Sequence, residues 1–390
     1  MRKSAAKPRE KEQIPPNRLT SERKLDHIRI CLTKDVQALQ KKTGFQDVEL
    51  IHNAIPEIDM SEVKTETELF DRKLAFPLII AGMTGGHPTT KRINETLARV
   101  AQETGIGMGV GSQRAAIEDA SLVETFSVVR KVAPDILVIG NLGAPQLSRG
   151  YGVREAKKAV EMIDADALAI HLNPLQEAVQ PEGETSTKQT FKKIADIADQ
   201  LEVPVITKET GCGIAYEQAL RFAEINVKGV DVGGAGGTSW PAVEAYRQLG
   251  KGTNNCDAIP LGFTFRDWGI STAASIVEVS TVEGLKTIAT GGVRNGIDVA
   301  KAIALGADVA GVALPFLKPA YMGDEETLRA MVLRIAKELR TVMYLTESRN
   351  TDALGEANLV LGGKLSEWLT MRGFEPRQYA KRRRWIQRMK

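Results

Sequence analysis

Hydrophobic positions along the chain gather into eight short, nearly continuous aliphatic runs. Each run closes on glycine or a polar residue and is followed by a helical stretch. The runs occupy residues 77–83, 105–111, 136–143, 167–173, 204–209, 229–236, 285–292 and 308–314. Unbroken apolar strands that alternate with helices predict a parallel sheet buried on both faces. Eight such units closing on themselves predict an α/β fold of the (β/α)8 TIM-barrel type over residues 77–320. Helical periodicity over 90–103, 186–200 and 296–305 supplies crossovers between strands. One interval breaks the rhythm. Residues 237–284 predict a long loop after the sixth strand, and loops of that length in a compact domain usually carry function.

The flanks read differently. Residues 1–20 are polar, basic and proline-containing, which predicts a disordered tail. Residues 21–76 are expected to hold an N-terminal helix and an extended lead-in. Thr20 or Ser21 can cap that helix. Arg23, Lys24 and His27 would cluster on one side of it, with Leu25, Ile28 and Leu32 on the other. Residues 321–390 are expected to form a helix over 325–341 and a basic tail.

Composition narrows the class. Of 390 residues 43% are hydrophobic but only 5% aromatic, and 35 are glycine, so the core is aliphatic and many backbone positions are bare. The aromatic-rich stretch 261–269 inside the long interval stands out against that background. A net charge of +3 gives no bulk field for nucleic acid. The basic excess sits at the ends, from Arg2 to Lys24 and from Lys381 to Lys390, and reads as solvated. Cys31, Cys212 and Cys256 lack CxxC or metal-ligand spacing, which points to a reducing compartment. No apolar run reaches 18 residues and the first residues lack a signal-peptide core, so the expectation is a cytoplasmic protein without membrane or nucleic-acid partners.

In a barrel the chemistry belongs at the C-terminal ends of the strands. The last two ends, Thr290-Gly-Gly-Val-Arg-Asn-Gly296 and Val312-Ala-Leu314, suit a phosphate group. Glycine lets backbone N–H groups approach an anion, and the following helix N-terminus adds its dipole. Gly107-Met-Gly-Val-Gly111 lacks the third glycine of a dinucleotide fingerprint at the right offset. A flavin needs, besides phosphate, hydrogen bonds to its pyrimidine edge and a cation near N1. Lys208 can supply the cation, with a buried ion pair or a Schiff-base lysine as the alternatives. Thr84, Ser112 and Asn141 can supply the hydrogen bonds.

Taken in order, several motifs resemble one family, the type 2 isopentenyl-diphosphate isomerases, which are FMN-dependent barrels. The motifs are Arg23-Lys-Leu-Asp-His27, Met83-Thr-Gly-Gly86, Gly111-Ser-Gln-Arg114, His171-Leu-Asn-Pro-Leu-Gln-Glu177, Lys208-Glu-Thr-Gly211, Trp268-Gly-Ile-Ser-Thr-Ala-Ala274 and Gly291-Gly-Val-Arg294. The resemblance implies FMN contacts from Ala81, Gly82, Met83, Thr84, Ser112, Asn141, Lys208, Thr238, Gly291, Gly292, Arg294, Ala313 and Leu314. It implies substrate contacts from Arg23, Lys24, Ser112, Gln113, Arg114, His171 and Gln176. It further implies Mg²⁺ on Glu177, bridging the diphosphate, and a homo-oligomer such as a tetramer or octamer.

The local chemistry is compatible. Arg23, Lys24, His27 and Arg114 match the charge of a diphosphate. A single carboxylate suffices for Mg²⁺ when phosphate oxygens and water complete its shell. His171 is also open to a purely structural reading, His52 has no constellation around it, and His87 has no assigned role. An allylic isomerisation needs one carbon protonated and another deprotonated without net redox change. The fourth strand end offers Gln176, too weak a base by itself. The expectation is therefore that reduced FMN acts as the acid–base group through N5, with NADPH or NADH as reductant, Gln176 as relay and His171 beside it. The competing readings are an FMN-dependent barrel oxidoreductase, an aldolase using Lys208, and a non-catalytic phosphate-binding module.

Overall fold

The computed structural model describes residues 16–250 and 259–381. Residues 1–15, Cys256 and the last basic residues lie outside that range. The chain opens with helix α1, Pro16–Thr33, which starts ahead of the caps expected at Thr20 or Ser21 and takes in residues 16–20 of the predicted tail. The lead-in then forms β1 (Val48–Leu50) and a hairpin of β2 (Thr67–Leu69) and β3 (Arg72–Leu74).

Eight strands follow at the eight predicted runs. They are β4 (Leu78–Ile80), β5 (Gly107–Gly109), β6 (Val138–Gly143), β7 (Ala167–Leu172), β8 (Val205–Glu209), β9 (Gly229–Asp231), β10 (Lys286–Ala289) and β11 (Val309–Val312). Each pairs in parallel with its neighbours, and β11 closes on β4 with Ala310 beside Leu78, so the sheet is a complete barrel. The strand period of two divides the apolar residues between two cores. Leu78 and Ile80 join the layer under the helices. Ile79, Ile139, Ala169, Ile206, Ile288 and Val309 fill the interior with Leu69 and Leu74 of the hairpin. The hairpin therefore plugs the N-terminal end of the barrel and leaves the other end for chemistry. Its tip, Phe70-Asp71, has φ of 51° and 60°, the two positive values a tight hairpin turn requires.

Two sequence expectations change. Among its described residues, interval 237–284 holds helices at Trp240–Gly250, Leu261–Thr264 and Thr272–Ser280. The last of these is buried almost throughout, so it lacks the amphipathic period that marks a surface helix. The region after 320 is more than a helix and tail. Glu325–Leu345 is followed by Thr351–Gly355, by β12 (Leu359–Leu361) and by Gly363–Met371, and β12 pairs antiparallel with β1. No described helix is long and apolar enough to cross a membrane.

Candidate active site

A cavity of about 270 Å³ opens at the C-terminal ends of the strands, beneath α1. Every flavin candidate from Ala81 to Leu314 lines it, as do Arg23, Lys24, Arg114, His171, Gln176 and Glu177. Gln113 does not. Its side chain is fully buried, with Oε1 accepting from the Asn141 N–H at 2.8 Å and Nε2 donating to the Ala159 carbonyl at 2.7 Å. It therefore braces β6, and its side chain is turned away from the cavity where a substrate contact was expected.

One side of the cavity is made of backbone. Gly291 and Gly292 have φ of 106° and 83°. A Cβ on Gly291 would stand 2.2 Å from the Gly234 carbonyl oxygen, and one on Gly237 would stand 2.3 Å from the Gly292 nitrogen. Only glycine lets these two loops interlock. Helices Gly296–Ala304 and Leu314–Met322 begin here, with Asn295 capping the first through the Asp298 N–H at 2.8 Å. Arg294 donates from one guanidinium nitrogen to the Val293 carbonyl at 3.0 Å and from another to Gln37 Oε1 at 2.9 Å. No carboxylate pairs with that guanidinium among the described residues. Burial lowers its pKa, with the charge of Asp298 opposing. Glycine cradle, helix ends and an arginine held by neutral oxygens together fit the phosphate of FMN.

Lys208 lies farther round the wall in an ion pair, its Nζ 2.8 Å from Asp231 Oδ2. His171 Nδ1 is 2.8 Å from Asn141 Oδ1. Burial, then the charges of Lys208 and Lys24, push that ring down to about 4, so it is neutral at pH 7. His87, near the active face, caps the helix Pro88–Thr104 by accepting from the Thr89 N–H at 3.1 Å.

The opposite side is made of charged side chains. α1 lies across the mouth, and Lys24, His27, Ile28 and Cys31 share the face turned inward. Ile28 thus sits with the cations rather than opposite them, because i, i+3, i+4 and i+7 fall on one helical stripe. Lys24 Nζ donates to the Gly85 carbonyl and to the Ser112 carbonyl, the latter at 2.9 Å. Burial, then the charges of Arg23 and Arg114, bring its pKa down to about 7. Arg23 is also lowered by burial, against the charges of Glu244 and Glu177. Arg114 Nε lies 2.8 Å from Glu118 Oε1, whereas Lys24 is held by carbonyl oxygens, so an added anion would be favoured beside it.

Glu244, which sequence reading missed, anchors this side from helix Trp240–Gly250. It accepts from Gln176 Nε2 at 2.9 Å and from Arg247 Nε at 2.6 Å, and its Oε1 lies 2.9 Å from His27 Nε2. Burial alone would raise Glu244, but the bond and charge of His27, then Arg247 and Gln176, hold it at about 2. Gln176 Oε1 accepts from Asn173 Nδ2 at 3.2 Å, so its amide is gripped at both ends. Glu177 accepts from Asn173 Nδ2 at 2.9 Å on Oε1, and from Gln180 Nε2 at 2.6 Å and the Glu184 N–H at 2.7 Å on Oε2. Asn173 Oδ1 is buried without a hydrogen-bond partner beside it. A carboxylate and an amide oxygen are the donor types Mg²⁺ takes when phosphate and water complete its shell.

Comparison with known proteins agrees with this geometry. The family model described as FMN-dependent dehydrogenase matches residues 17–131 and 145–361. Among solved structures, a lactate oxidase from Pediococcus acidilactici superposes with a TM-score of 0.60 at 17% identity, covering 91% of this chain and 96% of the other. A mandelate oxidase superposes at 0.56 and 19% identity, covering 90% and 100%. At such identities these two establish the barrel fold alone. Curated relatives named isopentenyl-diphosphate delta-isomerase are far more similar. The one from Archaeoglobus fulgidus is 48% identical over 91% of this chain and 99% of its own length. Its counterpart from Methanothermobacter thermautotrophicus is 44% identical over 93% and 100%. The chain belongs to the FMN-dependent dehydrogenase family and, within it, to the isopentenyl-diphosphate delta-isomerases.

Proposed function

We propose that this protein converts isopentenyl diphosphate to dimethylallyl diphosphate, with FMN kept reduced by NADPH and with Mg²⁺ on the diphosphate. One observation carries the reading. A single cavity joins a backbone-built phosphate cradle to a separate cluster of Arg23, Lys24 and Arg114, so it has places for two phosphorylated molecules at once. Reduced FMN would supply acid–base chemistry at N5. Arg23, Lys24 and Arg114 would bind the diphosphate, and the neutral His171 would add a hydrogen bond rather than a charge. Glu177 would hold Mg²⁺, with Asn173 Oδ1 as a second oxygen nearby. Gln176, fixed between Glu244 and Asn173, would hold or pass the proton at the allylic carbon, and α1 would keep water out. Assembly into a tetramer or octamer, which rests on the sequence resemblance, and a cytoplasmic location, which rests on the sequence composition, belong to the same proposal.

The test is an anaerobic assay with FMN, NADPH, Mg²⁺ and isopentenyl diphosphate, following dimethylallyl diphosphate. Product that disappears when FMN is omitted or Mg²⁺ is chelated is the expected result. A flavin-loaded protein that forms no product but oxidises a donor would replace this reading with an oxidoreductase. Gln176→Ala should bind substrate with little change in KM and lose on the order of 10²-fold in turnover. Wild-type turnover in that variant would remove Gln176 from the chemistry.

A further inference from the structure

Register in the barrel sets Lys208 of β8 directly beside Asp231 of β9. Both side chains are largely buried, at 14% and 4% exposure. Lys208 lines the cavity, whereas Asp231 stands behind it in the wall. An ammonium has three N–H donors, and the wall provides an acceptor for each. Asp231 Oδ2 lies at 2.8 Å, the Glu209 carbonyl at 3.3 Å and Thr290 Oγ1 at 3.4 Å. Asp231 is fully engaged too, because its Oδ1 accepts the Thr290 hydroxyl and the Gly233 N–H, the latter at 3.2 Å. The lysine is therefore a preorganised member of a bonded group in which the Asp231 carboxylate offsets the ammonium.

We propose that Asp231 is a positioning residue of the flavin site, so that the reduction potential of bound FMN is set by the Lys208–Asp231 pair and not by Lys208 alone. The inference rests on FMN occupying this cavity and is independent of the isomerisation. A bare ammonium beside the cofactor would stabilise the negative charge that collects on reduction. A buried carboxylate 2.8 Å from that ammonium cancels much of its field. The pair thus holds the cation in place without making the flavin strongly oxidising. It also favours the protonated form of the reduced cofactor, the form able to give a proton.

The experiment is a spectroscopic redox titration of the FMN-loaded protein, with Asp231→Asn, Lys208→Met and the double variant beside wild type. Asparagine keeps an oxygen for the Thr290 hydroxyl and the Gly233 N–H, so those two bonds stay while the carboxylate charge and its bond to the ammonium are removed. Asp231→Asn is expected to raise the midpoint potential and to shift the reduced spectrum towards the anionic form. Tenfold tighter holding of reduced over oxidised FMN corresponds to roughly 30 mV for this two-electron couple. Lys208→Met should lower the potential, and the double variant should return near wild type, since both charges are gone. An unchanged or lowered potential in Asp231→Asn would overturn the proposal. So would loss of FMN from both Asp231→Asn and the double variant, which would make the pair purely structural. A wild-type protein that takes up no FMN would instead sink the reading of the cavity itself.

Discussion

The two sides of the cavity are suited to a phosphate group by different physics. On the side of β10 and β11 the receptor is backbone, with crowded glycines, two helix N-termini and one arginine held by neutral oxygens. Across the mouth the receptor is a set of cationic side chains, two of them on a helix outside the barrel. The backbone side is rigid and local, and its electrostatics come from fixed dipoles. The side-chain side is adjustable, and burial leaves its charges dependent on pH and on the bound anion. A resident cofactor suits the first, and a substrate that must come and go suits the second.

The largest effect should come from attacking the backbone side. Gly291→Ala puts a Cβ against the Gly234 carbonyl in a left-handed conformation. Strain of about 1–3 kcal/mol together with the clash should cost roughly a hundredfold or more in FMN affinity, measured by quenching of flavin fluorescence. Unchanged affinity there would erase the contrast between the two sides.

Lys24→Met attacks the other side and should raise KM for the diphosphate by about tenfold to a hundredfold, from the loss of a bond to a charged group. FMN affinity should stay close to wild type. If both constants moved together, the two sides would be one site.

The pH profile sharpens the same point. Only the protonated ammonium attracts the diphosphate, and in the empty site Lys24 is brought down to about 7. Its protonated fraction falls as pH rises through 7, so KM should climb above that value, towards about tenfold per unit. Lys24→Arg should flatten the climb, because guanidinium stays charged. A flat wild-type profile would deny Lys24 the role.

The smallest effect is expected at Gln37, which orients Arg294 from an exposed position. Gln37→Ala should weaken FMN by about twofold to tenfold, since one solvent-accessible bond contributes roughly 0.5–1.5 kcal/mol. The affinity of riboflavin, which has no phosphate, should not change. An equal loss for riboflavin would place Gln37 in the general packing of the cavity.

Much of this was legible in the sequence. Parallel strands in a closed barrel are buried on both faces, so each shows up as an unbroken aliphatic run wherever it lies in the chain. Strand-end glycines and polar residues were legible for a related reason, since a barrel puts them all on one face. Gln113 misled because it sits between Ser112 and Arg114, which both line the cavity, while its own side chain turns into the wall. Neighbours in sequence share a motif but not a direction. Helix Thr272–Ser280 was read as loop because burial on every side removes the amphipathic signal.

The sequence by itself determined the strand count, the face that holds the strand-end glycines, and the cationic character of α1, because each follows from periodicity or from residues close in the chain. Tertiary structure alone decided the partners. Glu244 lies 68 residues from the Gln176 it grips, and Gln37 lies 257 residues from Arg294. Asp231 faces Lys208 only because strand register aligns them. Such pairings depend on barrel closure and on where α1 comes to rest, which are properties of the packed chain, and no local pattern encodes them.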